Sequence, residues 1–150
     1  MRTVQQESIV AASPEAVWER VSTFEGINDE LRPLLRMTAP AHVRALDPSE
    51  VVLGERIFRS WVLLFGVLPI DYDDLSLIAL EPGRGFHERS RMLSMRVWEH
   101  ERTLEPDGSG CWVRDLLRFE PRLPGMGPLL ERFIRATFRH RHRRLLRHFG

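Results

Sequence analysis

Between Phe86 and Phe119 three consecutive segments alternate with period two, and one face of that alternation carries charge where a sheet normally buries apolar side chains. If Phe86, Glu88, Ser90 and Met92 face inward, then His87, Arg89 and Arg91 face out. On the next segment Trp98, His100 and Leu104 facing in leaves Val97, Glu99 and Glu101 outside, and on the last Cys111, Val113, Leu117 and Phe119 facing in leaves Arg114 and Arg118 outside. The outer face then runs arginine, glutamate, arginine from strand to strand, worth ~0.2–1 kcal/mol for each cross-strand pair of opposite charges. The inner face holds Glu88, His100, Arg102 and Asp115. An unpaired buried charge is costly, so this face either lines a polar site or closes on itself as a paired network. A tight turn at Leu93-Ser94-Met95 sets Arg89 opposite Glu99 and Glu88 opposite His100, and parity allows either His100 or Arg102 opposite Asp115.

The flanking segments limit how such a sheet is completed. Thr3 to Ala11 reads as a first strand, and Ser13-Pro14-Glu15-Ala16 is a helix start with Ser13 as N-cap and Pro14 at the first helical position. Val17, Trp18 and Val21 make that helix amphipathic, and Asn28 to Leu35 is expected as a second short helix with Pro33 awkward in its interior. From Met37 to Glu120 period two dominates, with strands expected at Thr38–Leu46, Gly54–Leu64, Ile70–Leu80, Gly85–Met92, Met95–Glu105 and Cys111–Glu120 between turn-forming separators. A Pro/Gly-rich connection from Pro121 to Pro128 leads into one long helix to about His148, with Leu130, Phe133, Ile134, Thr137, Phe138, Arg141 and Leu145 on one side. A curved antiparallel sheet covered on its concave face by that helix satisfies this order, and incomplete packing between the two leaves a cavity.

In Ile9-Val10-Ala11-Ala12-Ser13-Pro14-Glu15-Ala16-Val17-Trp18, the Phe86–x–Glu88 and Trp98–x–His100 strands, Asp115 followed by Phe119-Glu120-Pro121, and Gly127 opening the terminal helix, the chain resembles the SRPBCC superfamily. That superfamily contains START-type lipid carriers, pollen-allergen-like ligand binders and polyketide cyclases. The resemblance covers essentially the whole chain. It implies an α+β helix-grip fold, with a curved seven-stranded antiparallel sheet wrapped around a long C-terminal helix, two short helices after the first strand, and an internal apolar cavity. Because members of one fold bind or process very different ligands, it leaves the ligand open.

The expectation for function is a single ligand-binding domain over residues 1–150 that takes a hydrophobic small molecule such as a lipid, quinone, isoprenoid or polyketide. Glu88, His100, Arg102 and Asp115 would anchor its polar end, and Trp61, Phe65, Tyr72, Trp98 and Phe133 would line the pocket. An alternative is a cyclase or dehydratase in which His100 works as acid or base beside Glu88 or Asp115, since a neighbouring carboxylate orients an imidazole and raises its pKa. A third reading places function on the basic end of the last helix, His140 to His148, although such residues also complement a helix C-terminus.

Composition narrows the classes. The net charge of +1 argues against wholesale nucleic-acid binding, and the absence of lysine makes all 22 basic residues arginine. No apolar run approaches the ~20 residues of a membrane span. The lone Cys111 fits a reducing cytoplasm and a core position. No zinc-ligand spacing or phosphate loop is present, so no metal or cofactor is expected. Asp71, Asp73 and Asp74 alternate between faces and read as a solvated edge, with no metal site.

Overall fold

The computed structural model describes residues 1–150. Seven strands and three helices follow the order β1 (Arg2–Val10), α1 (Pro14–Val21), α2 (Phe24–Leu31), β2 (Leu35–Met37), β3 (Arg56–Leu64), β4 (Leu68–Glu81), β5 (Gly85–Met92), β6 (Met95–Asp107), β7 (Gly110–Pro121) and α3 (Gly127–Phe149). The strands make one curled antiparallel sheet ordered β1-β7-β6-β5-β4-β3-β2, and α3 lies across its concave side. This is the helix-grip fold.

Local chemistry sets most of these boundaries. The Ser13 side chain accepts the Ala16 amide at 3.2 Å and caps α1, with Pro14 at its start. The second helix begins earlier than expected, because Thr23 caps it through the Gly26 amide at 3.0 Å, and it ends before Pro33. A Cβ on Gly26 would meet the Arg20 carbonyl oxygen at 1.9 Å, so glycine lets α1 and α2 approach closely. That approach brings the far end of α2, with Glu30, under the sheet.

The segment expected as a strand at Thr38–Leu46 is not one. Only Leu35–Met37 pairs as β2, and the chain then runs as a loop touching the fold through the bridge Thr23↔Ala45. Pro40 removes a ladder donor and its carbonyl accepts the Val43 amide in a turn, which takes the chain out of the sheet.

On β5, β6 and β7 the register follows the parity read from sequence. Glu88 pairs with His100, Arg89 with Glu99 and Arg102 with Asp115. Outside, Glu99 accepts from His87 at 2.9 Å and from Arg89 at 3.3 Å. Three apolar clusters fill the inside. One gathers Trp98, Leu117 and Phe119 with Ile134 and Phe138 of α3, another packs α1 and Leu145 on β6 and β7, and the third joins Phe24 and Leu46 to β3 and β4.

Candidate functional site

The charged inner face divides into two sites. The first centres on Arg102, which is fully buried. Its guanidinium donates to both Asp115 oxygens at 2.8 Å each and to both Glu30 oxygens at 2.9 and 2.8 Å. Gly85 brings β5 against this point, since a Cβ there would lie 1.9 Å from the Arg102 carbonyl oxygen and its φ of +144° suits glycine. Asp115 also bonds Nε2 of His100 at 2.7 Å and Nε2 of His142 at 2.6 Å, and His142 reaches Ser8 through Nδ1. Glu30 accepts from Arg141 Nε at 3.0 Å. Helix α2, strands β1, β6 and β7 and helix α3 are thus tied through one network.

Electrostatics accounts for its charge states. Burial works to raise the Asp115 pKa, but the charge and hydrogen bonds of Arg102, with the bond from His100, hold it well below the usual carboxylate range. Glu30 behaves alike: burial opposes ionisation, and Arg102 and Arg141 outweigh it. For His100 burial prevails over the attraction of Asp115 and lowers the imidazole pKa, which keeps the ring neutral between the edge contacts of Phe86 and Phe138 at 5.2 and 5.0 Å.

The second site is a cavity of about 230 Å³ between the sheet and α3, lined by 26 residues of which 19 are hydrophobic. Trp98 and Phe133 line it, as do Glu88 and His100. Arg102 and Asp115 do not, because their polar atoms are consumed by each other and by Glu30 and the two histidines. Trp61, Phe65 and Tyr72 are also absent from the wall. Trp61 and Tyr72 pair edge to face at 5.6 Å between neighbouring strands, with Arg59 over the tyrosine ring at 4.0 Å. Arg59 in turn holds Asp74 at 2.8 Å, an exposed pair on the side of the sheet away from the cavity. Phe65 stands at the exposed tip of the β3–β4 hairpin with φ of 54°. Glu88 and His100 are register partners, yet each bonds elsewhere, Glu88 to Ser90 at 2.6 Å and His100 to Asp115.

Asp71 and Asp73 correct the expected solvated edge. Both line the cavity, and Asp73 is buried. They continue the inward parity of Leu75 and Leu77, a signal already present in the expected strand Ile70–Leu80. Asp71 accepts from the Ser94 amide at 3.1 Å and from the Ser94 hydroxyl. Burial first, then the charge of Glu88 and a hydrogen bond with it, push the Asp73 carboxyl well above the usual range. Its Oδ1 has no hydrogen-bond partner. Glu30 also escaped the sequence reading; it falls three residues after Ile27 on the buried stripe of α2. Nowhere do three or more His, Cys, Asp or Glu side chains cluster so as to hold a metal ion.

A family model described as "Domain of unknown function (DUF8410)" matches residues 8–149. The chain belongs to that family. Curated proteins gave no match. Among solved structures, protein CV1439 from Chromobacterium violaceum superposes with a TM-score of 0.69 at 14% identity, covering 99% of this chain and 98% of that one. A START superfamily protein from Mycobacterium smegmatis gives 0.68 at 16% identity over 98% and 96% of the two chains. DynU16, from the dynemicin biosynthetic locus, gives 0.61 at 16% identity over 97% of this chain and 46% of its own. At these identities the likeness is one of fold alone, the helix-grip fold shared with the START superfamily protein. No helix is long and apolar enough to cross a membrane.

Proposed function

We propose that this protein binds a hydrophobic small molecule in the cavity between the sheet and α3. The carrying observation is the cavity itself, about 230 Å³ with a mainly apolar wall and a few convergent polar groups, a composition typical of small-molecule sites. An engineered apolar cavity of ~150 Å³ takes benzene, so the volume supports a ligand of about ten non-hydrogen atoms. That size favours a substituted ring or a short isoprenoid over a full-length acyl lipid. The test is native mass spectrometry of protein purified from its own host. A co-purifying small molecule is expected, and it should vanish in Ile134→Trp, which places an indole in the cavity. An adduct that persists unchanged in a folded Ile134→Trp protein, or wild-type protein that binds no apolar probe of this size, would sink the proposal.

One observation favours a second reading, acid–base catalysis at His100. Its Nε2 is taken by Asp115, so Nδ1 is the nitrogen left for a ligand, and the lowered pKa leaves the ring able to accept a proton. In that case His100→Ala abolishes turnover of the co-purifying ligand while binding largely survives. Equal loss of both assigns His100 to binding alone.

A further inference from the structure

The polar groups at the cavity wall are unequally satisfied. Thr137 bonds the Phe133 carbonyl at 2.8 Å, Arg141 is held by Glu30, His100 by Asp115 and Asp71 by Ser94. The exception is the pair on β4 and β5. Glu88 receives the Ser90 hydroxyl at 2.6 Å and meets the Asp73 carboxyl, and Asp73 Oδ1 has no partner, although both side chains are more than nine-tenths buried. No cationic side chain bonds or pairs with either one. Two carboxyls in contact away from a cation hold at most one charge between them, and the second must keep its proton. A buried negative charge without a cation is costly, and a protein retains such an arrangement at a binding site more readily than in a core.

From this geometry we infer that the Asp73–Glu88 pair is the anchoring site for a positively charged nitrogen, so that the cavity's ligand is a small hydrophobic amine in its ammonium form. The inference rests on the ligand-binding reading above and adds the chemistry of the ligand's polar end. An ammonium group supplies the donor that Asp73 Oδ1 lacks and the cation that the pair lacks. The aromatic part of the wall, with Phe86, Trp98 and Phe133, suits the same head group, because aromatic rings attract cations. A neutral alcohol would satisfy the acceptor but not the charge.

The charged or titratable groups around the pair are Asp71 on the same strand, His100 on β6 and Arg141 on α3, the last neutralised by Glu30 of α2. None supplies a free cation. Binding of an ammonium should therefore neutralise the single charge of the pair while the second carboxyl keeps its proton, so the preference for an amine rests on charge pairing and needs no proton release.

Three probes of equal size separate the possibilities by titration calorimetry on the full chain: 2-phenylethylamine, 2-phenylethanol and propylbenzene. The amine is expected to bind at least about tenfold more tightly than propylbenzene, with the alcohol between them. In Asp73→Asn/Glu88→Gln the preference for the amine should disappear while propylbenzene still binds, which also reports an intact cavity. If that variant is unfolded, Glu88→Gln alone should cut the preference for the amine while propylbenzene still binds. Propylbenzene or phenylethanol binding as tightly as the amine in the native protein overturns the ammonium site and leaves the cavity reading standing. Failure of all three probes to bind overturns the cavity reading itself.

Discussion

Two clusters of acids lie on the inner face of the same sheet, and they solve the problem of buried charge in opposite ways. Around Arg102 each carboxylate has a cation: Glu30 takes Arg102 and Arg141, and Asp115 takes Arg102 and is also bonded to the His100 and His142 rings. On β4 and β5 the carboxyls of Asp73 and Glu88 face each other and a cavity, with one oxygen unpartnered. The first arrangement ties five elements and leaves little for a ligand to add. The second is incomplete, and its incompleteness faces the space where a ligand fits. Density of charged residues is thus a poor guide to a site; unsatisfied polar atoms beside a cavity are a better one.

The largest effect that tests this contrast is at Arg102. Replacing it by Met leaves Glu30 and Asp115 with fewer cations in the dry interior, and the expected loss of stability is ~3–5 kcal/mol in urea unfolding. A loss below ~1 kcal/mol would show that the network is not the structural tie described here.

A smaller effect, opposite in sign on the two sides, comes from pH. The lowered pKa values of Asp115 and Glu30 mean that their stabilisation is present above the ordinary carboxylate range and is lost as pH falls through the folded-state values. The raised value of Asp73 works the other way: above its ordinary 3.8 the unfolded chain holds fewer protons than the folded one, so its contribution weakens the fold as pH rises. Asp73→Asn should therefore stabilise the ligand-free protein by on the order of 1–2 kcal/mol near neutral pH, because the amide donates to Glu88 without having to take up a proton on folding. The gain should shrink towards acid when unfolding is followed over about pH 4 to 8. A destabilised Asp73→Asn protein would mean that Asp73 belongs with the satisfied cluster.

The smallest effect is expected on the outer face. Arg89→Ala removes an exposed partner of Glu99, which keeps His87, and should change stability by no more than ~0.5 kcal/mol. A larger loss would show that the outer charges, and not only the inner network, hold the register of β5 and β6.

The register of the central strands was legible in the sequence because period two and the outer charge alternation agree. The pairings Glu88↔His100 and Arg102↔Asp115 follow from that alone. The helix starts were legible where capping residues stand beside proline, as at Ser13-Pro14, and misjudged at Thr23, whose cap precedes a less regular stripe. Thr38–Leu46 alternates enough to suggest a strand, but Pro40 carries no ladder donor and the chain leaves the sheet. Register does not identify hydrogen-bond partners, however. Glu88 faces His100 across the ladder and yet bonds Ser90, because a second carboxyl from β4 and a better acceptor from β7 compete for the same space.

Sequence by itself determined the element order, the inward parity of β5 to β7 and hence the helix-grip architecture, because strand periodicity, caps and turns are local or nearest-neighbour properties. Only the tertiary structure decided which inward charges are consumed. Glu30 and Arg141 lie 72 and 39 residues away from Arg102 in opposite directions along the chain, and packing α2 and α3 beneath the sheet is what brings them to it. The same packing leaves Asp73 and Glu88 beside a cavity with no cation of their own, since no chain element supplies one there.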